Sequence, residues 1–295
     1  MNGDDLVAID WGTTNRRIFL LEAQGRVTHR EADPLGVTAV PPGGFPEEMR
    51  RLRERFGDRL FLLAGMIGSN RGWAEAAYVP VPAGLPQLAE GVLWVEPGRT
   101  AIVPGACTAE GEQADVMRGE EVQLLGAVAA GLIAPDSALC LPGTHAKWAR
   151  LEAGMLTGFR TVMTGELFAL LRGHSILSGQ MTGATVDGPV FREGVRRSLG
   201  HRGSLPADLF GTRARILLGK LEPQDSASYV SGLLIGADVA IGAELASTGP
   251  VGLIGDPALT RLYGAALDEA GRSYQEIDGE EAFLAGIKAI AKRLP

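Results

Sequence analysis

Asp10-Trp11-Gly12-Thr13-Thr14-Asn15 brings an acid, a glycine, two hydroxyls and an amide together in one short stretch. Apolar runs at 6–9 and 18–21 flank it, so it reads as a tight turn between antiparallel strands. A turn needs only the small residues. An acid at the end of a buried strand is costly unless something compensates it. A hydrated divalent cation would do so, with the turn amides and threonine hydroxyls holding the phosphates that the cation accompanies. The plainer alternative is a hairpin whose Asp10 caps its own turn.

Four further stretches carry chemistry. Gly65 to Trp73 follows the apolar run 60–64, and loops at the ends of central strands are where α/β folds place ligands. There Ser69 and Asn70 suit sugar hydroxyls, and Arg71 can fork onto a carboxylate. Trp73 either stacks on carbon-bound hydrogens or plugs the core. Asp115 opens a predicted helix reaching about residue 132, with Met117, Leu124, Leu125, Val128 and Leu132 on one face. An acid at that place is an N-cap by preference. Pro142-Gly143-Thr144-His145 forms a second Gly-Thr turn between apolar strands. Near the end, Gly255-Asp256-Pro257 follows the strand 251–254; Asp256 is placed as an N-cap and Pro257 at the first helical position. A glycine there lets a flat adenine approach the backbone, or simply lets a strand meet a helix.

The elements that must position these residues follow from the pattern of apolar residues. Strands are expected at 6–10, 16–22, 26–30, 60–64, 92–95, 100–103, 138–141, 147–152, 155–163, 251–254 and 273–277, with a turn at Gln24-Gly25 and an irregular stretch at 79–86. Helices are expected at 46–56, 115–132, 165–171, 191–199, 207–218, 226–245 and 280–293. The order of apolar strand, Gly-Thr turn, strand, Gly turn, strand and helix occurs twice, so two similar units would place two Gly-Thr turns across one nucleotide cleft.

Bulk properties narrow the class. A chain of 295 residues can bury one large core or two ordinary ones. The formal charge of −7 argues against general nucleic-acid binding. Cys107 and Cys140 make neither a metal spacing nor a disulfide framework, which suits a reducing cytoplasm. No apolar run is long enough to span a bilayer. His29, His174 and His201 are scattered, and no zinc site can be assembled from them with the cysteines.

In order and content these stretches resemble the acetate-and-sugar-kinase, Hsp70 and actin superfamily, and within it the 2-dehydro-3-deoxygalactonokinase family. The resemblance rests on 10–15, Gly65-Met66-Ile67-Gly68-Ser69 with Gly72-Trp73, Asp115-Val116-Met117-Arg118-Gly119-Glu120-Glu121, Leu141-Pro142-Gly143-Thr144-His145 with Lys147-Trp148, and Met163-Thr164-Gly165-Glu166-Leu167-Phe168. It implies an α/β fold of two RNase H-like, actin-type ATPase lobes around a nucleotide cleft. One lobe would span 1–133 with a returning helix at 279–295, the other 134–278. It also implies transfer of the ATP γ-phosphoryl group to the terminal hydroxyl of 2-dehydro-3-deoxy-D-galactonate, giving the 6-phosphate.

On that resemblance, Asp10 holds Mg2+ through water, and Gly12, Thr13, Thr14, Asn15, Gly143, Thr144, Gly255 and Asp256 bind ATP. Asp115 becomes the general base. Ser69, Asn70, Arg71, Trp73 and Arg118 hold the sugar acid, and Arg16 either joins them or forms a salt bridge. Lys147 either touches phosphate or lies on a solvated strand face, Glu166 caps a helix, and of Glu120 and Glu121 one is solvated and the other an outer partner of Mg2+. The implied partner is a small sugar acid, with no nucleic acid or membrane, for a monomer or homodimer. The alternatives are a kinase of the same fold acting on another sugar acid or sugar, and an actin-like module that binds ATP without transferring it.

Overall fold

In the computed structural model, residues 5–22, 25–108, 114–245 and 249–294 are described. The chain divides into two compact units. The first takes in the described residues of Met1–Pro135, Glu152–Thr157 and Gly279–Pro295, and the second Asp136–Leu151 and Gly158–Asp278. The turn at 152–157 thus groups with the first unit, which the expected boundary near 133 had placed in the second.

The first unit is built from β1 (Leu6–Trp11), β2 (Arg16–Leu21), β3 (Val27–Asp33), α1 (Phe45–Phe56), β4 (Leu60–Gly65), β5 (Val79–Pro80), α2 (Leu85–Glu90), β6 (Leu93–Glu96), β7 (Thr100–Ile102), β8 (Ala106–Thr108), β9 (Asp115–Met117) and α3 (Glu120–Ala129). Its main sheet runs β3-β2-β1-β4-β7-β6. β1 pairs antiparallel with β2 and parallel with β4, so its residues are covered on both sides, and Val7, Ala8, Ile9 and Trp11 are fully buried. Phe45, Met49, Leu52 and Phe56 of α1 face the same core, the period of an amphipathic helix. A small sheet, β5-β8-β9, forms where the sequence suggested an irregular stretch and the start of a helix. Of the expected Gln24-Gly25 turn, Gln24 lies outside the described residues; Gly25 has φ +76° and donates its N–H to the Glu22 carbonyl at 2.6 Å.

The second unit contains β10 (Ser137–Leu141), β11 (Ala146–Glu152) up to Leu151, β12 (Met155–Val162) from Gly158 on, α4 (Thr164–His174), α5 (Pro189–Gly200), α6 (Leu205–Leu217), α7 (Ser226–Gly242), β13 (Val251–Ile254), α8 (Pro257–Glu269) and β14 (Tyr274–Ile277). The last helix, α9 (Gly279–Ala291), belongs to the first unit and packs on α3. They meet at a glycine on each helix: a Cβ on Gly126 would stand 1.9 Å from the Ala282 carbonyl oxygen, and one on Gly286 2.3 Å from the Val122 carbonyl oxygen. The second sheet runs β12-β11-β10-β13-β14. This repeats β3-β2-β1-β4-β7, with β10 antiparallel to β11 and parallel to β13, as β1 is to β2 and β4. The duplicated unit is therefore present in backbone topology. α7 is buried over nearly all its surface, as its small and apolar composition predicts. Among the described residues no helix is long and apolar enough to cross a membrane.

Candidate functional site

The turn 12–15 leaves the carboxyl end of β1, and the loop beginning at Met66 leaves the carboxyl end of its parallel neighbour β4. The register Asp10↔Ala64 and Trp11↔Gly65 sets these two ends side by side. The turn is held from its carbonyl side. Val37 N–H donates to the Gly12 carbonyl at 3.0 Å, Gly36 N–H to Thr14 at 3.1 Å, and Thr38 Oγ1 to Thr13 at 2.8 Å. The side chains of Thr13, Thr14 and Asn15 remain exposed.

Asp10 is half-buried, and the last strand residue is Trp11 rather than the acid. The sequence called for something to compensate this carboxylate; the first compensation is Arg17, directly across the hairpin, whose guanidinium donates to Asp10 Oδ2. Nothing in the residue pattern distinguished Arg17 from Arg16. Their roles separate by strand alternation: Arg16 turns inward, 4 % exposed, against the Trp11 ring, with Asp33 at 2.6 Å and Glu48 at 3.7 Å. Arg16 therefore takes the salt-bridge alternative.

Around Asp10 the backbone closes tightly. A Cβ on Gly65 would lie 2.9 Å from the Trp11 carbonyl oxygen and 3.3 Å from Asp10 Oδ1, and a Cβ on Gly119 would lie 3.1 Å from the Gly65 Cα. Both glycines have positive φ, +92° and +109°, where an L side chain is strained. Asp10, Gly65 and Gly119 thus meet within contact distance although they are far apart in the chain.

The expected helix from Asp115 is corrected here. Residues 115–117 pair antiparallel with 106–108, Asp115 opposite Thr108, and α3 begins only at Glu120. Gly119, with its positive φ, separates strand from helix and stands at the N-cap. Asp115 is therefore not a helix cap; its Oδ1 accepts from Val116 N–H at 2.8 Å. The helix entrance is satisfied instead by Glu121, both of whose oxygens accept from Gly119 N–H at 2.8 Å. Glu120 takes the Arg118 N–H at 3.1 Å. Glu121 is fully buried, and burial, reinforced by the Glu120 charge, pushes its carboxyl up to about 8 against the pull of the Glu121 and Gly119 backbone N–H groups.

In the 66–73 loop, Ser69 is buried and faces its own backbone, donating to the Met66 carbonyl at 2.7 Å and accepting from Arg71 N–H at 3.2 Å. Asn70 and Arg71 are exposed, and Trp73 packs half-buried against the core, which favours the plug over the stacking platform. Beneath the loop lies Arg118, 8 % exposed, its Nη1 3.1 Å from the position a Cβ on Gly68 would take. Its Nη2 donates to the Ala76 carbonyl at 2.8 Å, and its guanidinium covers the Tyr78 ring at 4.2 Å. Among the described residues, Nε and Nη1 have no hydrogen-bond partner.

In the second unit, β10 and β13 are parallel neighbours, so the 142–145 turn and the Gly255-Asp256 junction also leave one sheet edge. Asp256 accepts from Ala258 N–H at 2.8 Å with Pro257 at the first helical position, as its sequence signature requires. Gly143 has open space where a Cβ would stand, while Thr144 and His145 are exposed. The start of α4 braces this turn. Glu166 N–H donates to the Thr144 carbonyl at 3.0 Å, the Glu166 carboxylate pairs with His145, and a Cβ on Gly165 would meet the Gly143 carbonyl oxygen at 2.5 Å. Lys147, expected on a solvated face or on phosphate, is buried, and its Nζ reaches the His145 carbonyl at 3.4 Å.

Among the described residues, no three of His, Cys, Asp and Glu converge to ligate a metal. What the first unit offers is one half-buried carboxylate beside a turn with exposed hydroxyls.

A family model described as 2-keto-3-deoxy-galactonokinase matches residues 10–290. Over 290 residues the chain is 37% identical to the 2-dehydro-3-deoxygalactonokinase of Escherichia coli (strain K12), covering 97% of both. A crystal structure from Sinorhizobium meliloti, provisionally given the same name, aligns with a TM-score of 0.90 at 33% identity over 97% of this chain and 98% of that one. An activator of 2-hydroxyisocaproyl-CoA dehydratase from Clostridium difficile, solved with ADPNP, aligns with a TM-score of 0.52 at 11% identity over 98% of this chain and 95% of that one, a likeness of fold alone.

Proposed function

Because the chain belongs to the 2-keto-3-deoxy-galactonokinase family, with an actin-type ATPase fold, we propose that it transfers the ATP γ-phosphoryl group to the terminal hydroxyl of 2-dehydro-3-deoxy-D-galactonate. The observation that carries the reading is the meeting of Asp10, Gly65 and Gly119, which brings three of the stretches typical of the family to one point. In phosphoryl transfer, positioning and charge neutralisation supply most of the catalysis. Mg2+ bound with ATP would neutralise charge on the phosphate chain, and Asp10 is the residue to hold it through water.

Thr13, Thr14 and the turn amides bind phosphate oxygens in one unit, and Gly143 and Thr144 do so in the other. Gly255 and Asp256 border the adenosine. Asp115 accepts the proton of the attacking hydroxyl. Arg71, exposed beside Ser69 and Asn70, and Arg118, with two unpartnered donors, are the cations for the substrate carboxylate. Arg16 is already committed to Asp33 and Glu48. Cys107 and Cys140, both free thiols, fit a reducing cytoplasm.

The test is ADP release with ATP, Mg2+ and a panel of 2-dehydro-3-deoxygalactonate, its gluconate epimer, galactonate and glucose, run beside Asp115→Asn. Turnover on the first acid alone, lost in the variant, is the expected result. Turnover on another compound only would replace the acceptor. Absence of acceptor-dependent release from folded, ATP-binding protein would leave a nucleotide-binding module.

A further inference from the structure

Asp238, in the last third of α7, is fully buried and, among the described residues, has no cationic partner. Its carboxylate is surrounded by neutral donors. Trp148 Nε1 donates to Oδ1 at 2.7 Å, Thr164 Oγ1 donates to Oδ2 at 2.6 Å, and the Tyr263 hydroxyl donates to the same oxygen. Burial drives this carboxyl upward, and the three donors pull it back without cancelling the shift. Cys140 of β10 lies close enough for the Asp238 charge to add to the effect of burial on its thiol.

A lone buried carboxylate is a poor way to stabilise a core, because apolar residues of similar volume do as well or better. Its value must lie in what it holds in register. The three donors come from three segments, each joined to one of the unit's edge loops. Trp148 lies on β11, just after the 142–145 turn. Thr164 is the first residue of α4, next to Gly165 and Glu166, which touch Gly143 and Thr144 directly. Tyr263 lies on α8, which Gly255 and the N-cap Asp256 immediately precede. Two carboxylate oxygens are the compact means of accepting from all three segments at once.

We propose that Asp238 is a positioning residue for the nucleotide. It sets the phosphate-facing turn 142–145 and the adenosine-facing start of α8 at a fixed separation through Trp148, Thr164 and Tyr263. The proposal rests on the reading that these loops bind ATP.

Calorimetric titration of ADP with Mg2+, thermal unfolding, and separate KM values for ATP and sugar acid test it in Asp238→Ala, Asp238→Asn and Thr164→Val. Loss of a buried charge-assisted bond is worth about tenfold in binding or more. Asp238→Ala should therefore weaken ADP binding and raise the KM for ATP by about that factor, with the KM for the sugar acid unchanged. Asp238→Asn should recover most of the loss, since it keeps an acceptor for Trp148 and an amide for the two hydroxyls. Thr164→Val cuts only the link to α4, so it should give a smaller loss of the same kind, and it decides the matter if Asp238→Ala does not fold. Folded variants that bind ADP as the wild type does, or that raise both KM values alike, would overturn the proposal. A wild-type protein that does not bind ADP would remove it together with the reading beneath it, and that is measured first.

Discussion

The two units run their strands in the same order and present a Gly-Thr turn at the same place, yet they treat charge in opposite ways. Two residues before the glycine, the first unit has Asp10 and the second Leu141. In the first, the acid sits half-exposed at the turn and is balanced by Arg17. In the second, the turn carries no acid of its own, and the buried acid is Asp238, held below it by neutral donors. A charge near the solvent edge can exchange partners and meet an arriving cation. A charge sealed among Trp, Thr and Tyr can only hold geometry. One strand order occurs twice, and it sets a carboxylate at the turn in one unit and inside the core in the other.

The sharpest way to break this contrast is Asp10→Asn. It should lower kcat on the order of a thousandfold with little change in thermal stability, because charge stabilisation at the transferring phosphoryl group is lost. Leu141→Asn should leave kcat of the folded protein within about twofold, since no charge is held at that position, and should cost stability, since an amide replaces a buried apolar side chain. Asp115→Asn should lower kcat by about a hundredfold or more at unchanged KM for ATP, the range expected for a general base. Gly165→Ala tests the brace: its Cβ would drive into the Gly143 carbonyl oxygen at 2.5 Å. That should raise the KM for ATP by about tenfold and cost about 1–3 kcal/mol of stability by overpacking, seen in thermal unfolding.

Arg16→Met should act on stability instead of on KM, because Asp33 would lose its cation while Glu48 keeps Arg51; about 3 kcal/mol is the scale for breaking a largely buried pair.

A last prediction concerns pH and Glu121, whose carboxyl is raised in the folded state from an ordinary 4.5 to about 8. Such a group favours folding fully below its unfolded value, and its contribution is lost as pH rises toward about 8. The wild type should lose stability across that window at no more than about 1.4 kcal/mol per pH unit. Glu121→Gln should flatten the slope; an equal slope in both proteins would show that Glu121 does not titrate there.

Much of the fold was legible because local signals agreed with one another. The apolar runs of β1, β4 and β10, the face of α1, and the Asp256-Pro257 helix start all appear as their residue patterns require. The largest failure was Asp115 to Gly119. Met117, Leu124, Leu125 and Val128 suggest one helical face, but the short pairing with 106–108 claims the first residues, and Gly119 restarts the chain in a conformation open to glycine. Pairing between separate segments outweighs local helical preference. Lys147 was missed in the same way: a lysine on a strand reads as exposed, and only the register of β11 places it inward.

The sequence by itself determined the materials. It put an acid ahead of one Gly-Thr turn and none ahead of the other, placed the caps and breakers, and carried the stretches that mark the family. Tertiary structure decided the partners. It gave Asp10 to Arg17 and Arg16 to Asp33, turned Glu121 rather than Asp115 to the helix entrance, and gathered Trp148, Thr164 and Tyr263 on Asp238. The reason is physical: residue type fixes what a side chain can donate or accept, whereas its actual partner depends on strand register and helix packing between segments far apart in the chain.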